Sequence, residues 1–111
     1  MKIELAKYLL DALTACKAIT LFTAEKSLRE YSADLLLRSA VERQFEILGE
    51  AFSRIDRIDT SFRNQKHSIG SIIGMRNRII HGYDSVDDDI VWDAVQNHIP
   101  PLAEWLESLK L

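Results

Sequence analysis

The sequence has little of what a cysteine-linked or membrane-spanning protein needs. A single cysteine, Cys16, in 111 residues excludes a disulfide within the chain and a cysteine-based zinc cluster. No apolar run approaches the ~20 residues that cross a bilayer, and charged residues interrupt the N-terminal segment where a signal peptide is apolar. We therefore expect a cytoplasmic protein without a membrane partner, in which Cys16 is a buried structural thiol.

Residues that form turns are also scarce. The chain has only four glycines and two prolines, which favours long elements, and 111 residues suffice for one domain with one core. No segment alternates with a period of two for long enough to form a sheet, and no internal repeat is visible. We expect residues 1–111 to form one all-α domain, an antiparallel bundle of four or five helices.

Acidic residues outnumber basic residues, 17 to 14, and the formal net charge is −3. This balance argues against a large, non-specific nucleic-acid surface, which needs clustered lysines and arginines. The distribution is uneven, however: residues 29–78 carry nine basic and seven acidic residues, whereas residues 84–111 carry seven acidic residues and one lysine. If RNA binds, we expect it to contact the central helices.

Apolar residues recur at steps of three and four along most of the chain, which indicates helices. The pattern predicts helices at residues 3–22, 33–55, 68–81 and 86–98, and a last helix that starts at Pro100 and Pro101. Residues 23–32, with some helical character, and 56–67 are predicted connections. The apolar arc of residues 33–55 is wider than one partner helix covers, so we expect it to contact a second subunit as well.

Polar residues near the predicted boundaries are candidate helix caps. Thr23 is a candidate for capping a short turn with Lys26. Ser32 is the candidate for helix 33–55, Ser68 for helix 68–81, and Asp84 or Ser85 for helix 86–98. Gly82 is expected to be the residue just after helix 68–81. Gly70 and Gly74 lie four apart, a spacing that would permit close approach of another backbone.

The stretch RNRIIHGYD, residues 76–84, departs from ordinary helix sequence. Arg76 interrupts the apolar stripe of its helix, and a buried guanidinium without a partner costs several kcal/mol. Arg76 therefore needs a carboxylate or a solvent-filled cleft, and Glu46 or Glu50 on the long helix are the candidate partners. Arg78 shares a solvated face with His81, and Asn77 is four residues before His81.

His81 has two interpretations. It is a cation at a helix C-terminus, where the carbonyls attract positive charge, or it is a proton-transfer group. An imidazole beside a guanidinium is sufficient to cleave an RNA phosphodiester without metal: the 2′-hydroxyl attacks phosphorus, the imidazole moves a proton and the guanidinium holds the oxyanion.

One geometric difficulty concerns the two candidate catalytic residues. Positions five apart on an ideal helix diverge by about 140°, so Arg76 and His81 do not point at one spot. Three arrangements would bring them together. The helix could unwind near Gly82, or the long Arg76 side chain could bend round. Alternatively, two copies of the segment could meet across a two-fold axis and pool two histidines and two arginines in one groove. A homodimer would also supply the separate acid and base.

The spacing of Arg76, His81 and Tyr83, with four residues between the first two and one between the last two, resembles a known motif. It is the Arg-x4-His-x-Tyr motif of HepT-like toxins in the HEPN superfamily of helical ribonucleases. AVERQFEILGEAF, GMRNRIIHGYDSVDDDIVW and PLAEWL are similar to the same family, over roughly residues 33–106. The resemblance implies a homodimeric, metal-independent RNase toxin in which Arg76 and His81 are catalytic and Asn77 is a polar helper. We expect Arg78 and Glu50 to support these residues, and we expect no cofactor. It also implies an antitoxin, an MntA-like nucleotidyltransferase that transfers AMP to Tyr83.

Other interpretations of the same residues are weaker. Asp84 and Asp87 to Asp89 are expected to cap a helix and to face its dipole, and we assign no metal to them. His67 and His98 are expected to be solvated, and Trp92 and Trp105 to pack on the core. The main alternative function is a non-catalytic HEPN module that binds a nucleotide or the partner nucleotidyltransferase; a plain dimerisation bundle is the third.

Overall fold

The computed structural model describes residues 2–82 and 86–111. Met1, residues 83–85 and the side chain of His67 lie outside the described part. Residues 83–85 are the predicted modification site Tyr83 and the predicted caps Asp84 and Ser85.

The described residues are helical, with no strand among them, which confirms the all-α prediction. The elements are α1 (Ile3–Thr23), α2 (Leu28–Ala33), α3 (Leu35–Ile58), α4 (Ser61–Gln65), α5 (His67–His81), α6 (Asp88–Asp93), a π-helical segment (Ala94–His98) and α7 (Ile99–Ser108). Helix α3 packs against α1 and α5, and α1 also packs against α7. The long helix α3 is therefore the element on which the first and third long helices meet.

Two short helices and their caps differ from the prediction. Helix α2 lies within the predicted connection 23–32 and begins with a capping box, in which the Ser27 side chain accepts from the Glu30 N–H and Glu30 accepts from the Ser27 N–H. Thr23 closes the predicted short turn with Lys26 through its carbonyl, which accepts from the Lys26 N–H at 3.0 Å, while its hydroxyl donates to the Ile19 carbonyl at 2.8 Å. Likewise α4 lies within the predicted connection 56–67.

The residues that cap the longer helices also differ from the predicted ones. Asp34, and not Ser32, caps α3 by accepting from the Leu37 N–H at 3.1 Å. Helix α5 starts at His67 and follows Lys66, so Ser68 is already inside it. Asp87 caps α6 through the Asp89 N–H at 2.8 Å, because a carboxylate two residues before an unpaired N–H reaches it directly.

The core is one continuous cluster of side chains. Cys16 is fully buried in it, as predicted, and burial raises the pKa of its thiol to about 12. Trp92 packs against Tyr31 with ring centroids 5.4 Å apart, and Trp105 packs against Phe62 at 6.2 Å. Both tryptophans thus hold the last helices on the bundle.

In the described ranges, no helix combines the length and the apolar character that a bilayer crossing requires. Several large apolar side chains nevertheless face outward. The most exposed on α3 are Leu35 and Leu36, at 68% and 80% of their surface.

Candidate active site

Arg76 is held at the crossing of α3 and α5. Gly49, in the middle of α3, is buried, and a Cβ built on it would lie 2.3 Å from the Cβ of Arg76 and 2.7 Å from its Cγ. A contact that short is impossible for a real side chain, so glycine is required where the stem of Arg76 crosses α3. The predicted close approach occurs at Gly49, and not at Gly70 or Gly74, where a Cβ would meet no atom within 4 Å.

The guanidinium of Arg76 is paired, as its place in an apolar stripe requires. Its Nη1 donates to Glu50 Oε2 at 2.9 Å and its Nη2 to Ser53 Oγ at 3.3 Å. Of the two predicted partners, Glu50 is therefore the right one; Glu46 pairs with Arg43 at 3.0 Å. The Arg76 side chain is 19% exposed, so the guanidinium lies at the edge of the core and still reaches solvent.

Glu50 joins two arginines. Its Oε1 accepts from Arg54 Nε at 3.0 Å while its Oε2 holds Arg76. Arg54 also lies 5.7 Å from the centre of the Tyr8 ring, and hydrogen bonding to Tyr8 and then to Glu50 raises the pKa of Arg54. The carboxylate thus lies between two permanent positive charges, and the loss of either arginine leaves it with one partner.

A groove of about 480 Å³ runs between α1 and α3 beside this cluster, and we call it the α1–α3 groove. Its walls include Tyr8 of α1, Glu50 and Arg54 of α3, and Ile80 of α5. Ile80 is one turn after Arg76 on α5, so the groove opens next to the guanidinium. Lysine, arginine and carboxylate side chains line it together, and its charge is mixed.

The remaining residues of the predicted site lie on the outer face of α5. Asn77, Arg78 and His81 are exposed, and α5 ends at His81. Gly82 follows and donates its N–H to the Arg78 carbonyl at 2.8 Å, as expected of the residue after the helix. Its φ of −143° is not the left-handed conformation, so the helix ends without the glycine-specific cap.

Arg76 and His81 diverge within one protomer. Helix α5 is regular as far as His81, so unwinding near Gly82 does not bring the two side chains together. Arg76 is turned toward α3 by Glu50 and Ser53, and His81 is turned toward solvent. One helix therefore presents an anchored guanidinium and an exposed imidazole on separate sides.

Three residues of this arrangement were missed by sequence reasoning: Gly49, Ser53 and Arg54. The signal for Arg54 was available, because it follows Glu50 at the i, i+4 spacing of a helical ion pair. A glycine on the buried face of a long amphipathic helix, as at Gly49, was also a signal for close packing.

Neither lone histidine was predicted to be functional. His98 is half-buried, and its Nε2 lies 3.6 Å from Asp93 Oδ2. The structure describes only the backbone of His67, at the start of α5. In residues 2–82 and 86–111, no three metal-ligating side chains come together.

Comparison with known proteins identifies the family. The model of the HepT-like family, described as "Ribonuclease HepT-like", matches residues 12–109, which include α3 and α5 in full. The chain belongs to the HepT-like ribonuclease family. This membership confirms the resemblance that was predicted from residues 76–83 and their flanks.

Individual relatives match over nearly the whole HepT-like chain. The "Probable ribonuclease HepT" of Thermococcus cleftensis is 32% identical over 110 residues, which cover 99% of both proteins. The "Putative RNase MJ1380" of Methanocaldococcus jannaschii is 30% identical over 108 residues, 96% of both. No solved structure matches the chain significantly.

Proposed function

We propose that this HepT-like protein is a metal-independent ribonuclease and the toxin of a toxin–antitoxin pair. The observation that carries the proposal is that α5, inside the segment matched by the family, presents an anchored arginine and an exposed histidine five residues apart. These are the two groups that cleavage of RNA without metal requires.

The chemistry assigns one role to each residue. His81 takes the proton of the RNA 2′-hydroxyl as the O2′–P bond forms, and the P–O5′ bond breaks. The departing 5′-oxygen takes a proton from an imidazolium, which leaves a 2′,3′-cyclic phosphate and a 5′-hydroxyl. Arg76 donates N–H groups to the phosphoryl oxygens, whose negative charge increases in the transition state. DNA lacks the 2′-hydroxyl and is not cleaved.

A homodimer would resolve the divergence of Arg76 and His81. Two α5 helices that meet across a two-fold axis place His81 of one subunit opposite Arg76 of the other and supply the separate acid and base. The outer face of α5 suits such an approach, because Asn77, Arg78 and His81 are exposed on it. The exposed Leu35 and Leu36 of α3 are further apolar surface for a partner.

The other residues of the predicted site act on these two. Glu50 sets the position of Arg76 through the 2.9 Å ion pair. Asn77 and Arg78, exposed on the same helix, bind the phosphates of the substrate strand.

We further propose that an MntA-like nucleotidyltransferase antitoxin silences the enzyme by transferring AMP to Tyr83. Anionic AMP two residues after His81 would compete with RNA phosphates for the same arginines. Mass spectrometry of the protein produced with and without such a transferase tests this step. Added multiples of an AMP group, absent from Tyr83→Phe, are expected; an unmodified chain contradicts the antitoxin mechanism and leaves the nuclease proposal intact.

Two substitutions test the nuclease directly. Arg76→Met keeps the apolar stem against Gly49 and removes only the guanidinium, and His81→Ala removes an exposed side chain. We expect cleavage of RNA to fall by ~100- to 1,000-fold for Arg76→Met and ~100- to 10,000-fold for His81→Ala. The melting temperature of His81→Ala should not change, since exposed substitutions have small effects.

Gln65→Ala, an exposed polar residue at the end of α4, is the matched control and should cleave like the wild type. If purified His81→Ala still cleaves RNA, His81 only ends the helix. If no variant and no wild-type preparation cleaves RNA while the protein binds nucleotide or the transferase, the non-catalytic HEPN module is the correct function.

A further inference from the structure

The π-helical segment between α6 and α7 places two side chains together that an α-helix would separate. Residues five apart diverge by about 140° in an α-helix but lie on nearly the same side of the wider π turn. The Ile99 N–H bonds to the Ala94 carbonyl, five residues back, as a π turn requires. As a result His98 Nε2 lies 3.6 Å from Asp93 Oδ2.

The other carboxylate oxygen of Asp93 accepts a hydrogen bond. Its Oδ1 accepts from Asn97 Nδ2 at 2.7 Å, so the carboxylate is held from positions four and five residues later. The side chain of His98 remains 40% exposed. The imidazole thus lies beside the carboxylate and is still open to a ligand.

Asp93 and His98 lie in one wall of a second groove, the α5–α6 groove, of about 350 Å³. Helix α5 supplies the opposite wall with Ser71, Gly74 and Arg78. The groove is open at Gly74, because no atom lies within 4 Å of where its Cβ would be. A guanidinium and an imidazole therefore face the same space from two different elements.

The groove leads toward the site proposed above. His81 follows Arg78 by three residues on α5, which places it about 60° round the helix and one turn further along. Arg78 is therefore within one helical turn of the proton-transfer residue. A strand of RNA with one phosphodiester at His81 would lay a neighbouring phosphate along this groove.

We propose that the α5–α6 groove binds a backbone phosphate of the RNA substrate through Arg78 and His98. Arginine offers paired N–H donors that match phosphate oxygens, and an imidazole adds a ring N–H donor. Of the arginine and carboxylate side chains, Arg78 and Asp93 line the groove, and the two Asp93 oxygens face Asn97 and His98, which leaves Arg78 to bind the anion. This inference rests on the proposed nuclease function and assigns to it a substrate-binding residue, His98.

Binding to uncleavable RNA tests the groove separately from cleavage. The probe is a fluorescent single-stranded RNA with 2′-O-methyl groups, whose anisotropy is followed at one fixed pH for every protein. Arg78→Gln and His98→Gln should each weaken binding by about five- to tenfold. Each lost phosphate contact should also reduce the slope of log K against log salt by about 0.7.

Lys17→Gln is the matched control, since it removes one exposed positive charge from the α1–α7 side of the bundle, where Lys17 pairs with Glu107 at 3.8 Å. Its binding and its salt slope should equal those of the wild type. If Arg78→Gln and His98→Gln bind RNA as Lys17→Gln does, the groove proposal is overturned, whether or not the protein cleaves. If inorganic phosphate shifts the His98 ring resonances and the RNA does not, the groove is a free-anion site and the proposal is equally wrong.

Cleavage of ordinary RNA by the same proteins separates the two proposals. If the wild type fails to cleave but binds the 2′-O-methyl RNA through Arg78 and His98, the nuclease function is lost and the RNA-binding groove is supported. If the wild type cleaves and the two variants bind RNA unchanged, the nuclease function is supported and only the groove proposal is lost.

Discussion

Gly49 and Arg76 are so close that the side-chain stem of Arg76 fills the space that a Cβ at residue 49 would occupy. A methyl group at Gly49 would overlap the Arg76 Cβ at 2.3 Å and approach the Ile72 carbonyl oxygen at 3.3 Å. Neither neighbour is the flexible end of a side chain. The crossing of α3 and α5 therefore sets the direction from which the guanidinium enters the site.

The first prediction concerns this crossing. Gly49→Ala should destabilise the protein by ~1–3 kcal/mol, because the two helices must separate to admit the methyl group. The overlap should outweigh the ~1 kcal/mol by which alanine favours a helix over glycine. Urea unfolding gives the free energy, and the displaced Arg76 should reduce RNA cleavage as well.

Gly70→Ala is the control for this prediction. It has the same propensity gain without the overlap, so it should stabilise the protein by up to ~1 kcal/mol. Equal effects of the two substitutions would show that the α3–α5 contact at Gly49 is looser than described.

The second prediction concerns the carboxylate between two arginines. Glu50→Gln should reduce cleavage by ~10- to 100-fold, because a misplaced Arg76 no longer meets the phosphate. Stability should fall by only about 1 kcal/mol, since both ion pairs are partly exposed. Arg54→Gln is the control: Glu50 keeps Arg76, and activity should change little.

A double-mutant cycle of Glu50→Gln and Arg76→Met isolates the coupling in both stability and activity. Additive effects on cleavage would mean that Glu50 does not position Arg76.

Periodicity was sufficient to predict α1, α3 and α5, because each buries a stripe at helical spacing. The same spacing limited the partner of Arg76 to Glu46 or Glu50, since a buried guanidinium needs a carboxylate. Which of the two it is depends on the crossing of α3 and α5, a tertiary fact that no local pattern contains.

Other features were beyond the sequence for different physical reasons. Gly49 looks like Gly70 and Gly74 until the helices are packed, so the close approach was assigned to the wrong glycines. The π-helical segment has ordinary helical composition, so local periodicity does not distinguish it from an α-helix. It joins α6, which packs against α2, to α7, which packs against α1. The Asp93 to His98 pair could not be predicted, because α-helical geometry places the two residues apart.

The third prediction concerns a buried hydroxyl. Tyr31 is fully buried, burial raises its pKa, and its hydroxyl has no hydrogen-bond partner among the described residues. Tyr31→Phe keeps the ring on Trp92 and removes the unsatisfied group, so the free energy of unfolding should be unchanged or higher by up to ~1 kcal/mol. Calorimetry measures it, and a loss greater than 1 kcal/mol would reveal a partner for the hydroxyl.

The last prediction concerns the pH dependence of stability. Partial burial, and then the negative charge of Asp88, raise the pKa of Glu42 above its ordinary value of about 4.5; Arg38 opposes them with a smaller effect. Above that ordinary value the folded protein binds more protons at Glu42 than the unfolded chain does. Stability due to this group is therefore fully present below about pH 4.5 and is lost as the pH rises through the folded pKa.

Glu42→Gln cannot ionise, so its free energy of unfolding, relative to the wild type, should be higher at pH 7 than at pH 4. Urea unfolding of both proteins at the two pH values measures the difference. Glu104→Gln, which removes an exposed carboxylate on α7, should show no such change. A wild type that gains stability relative to Glu42→Gln as the pH rises would mean that Arg38, and not burial with Asp88, dominates the surroundings of Glu42.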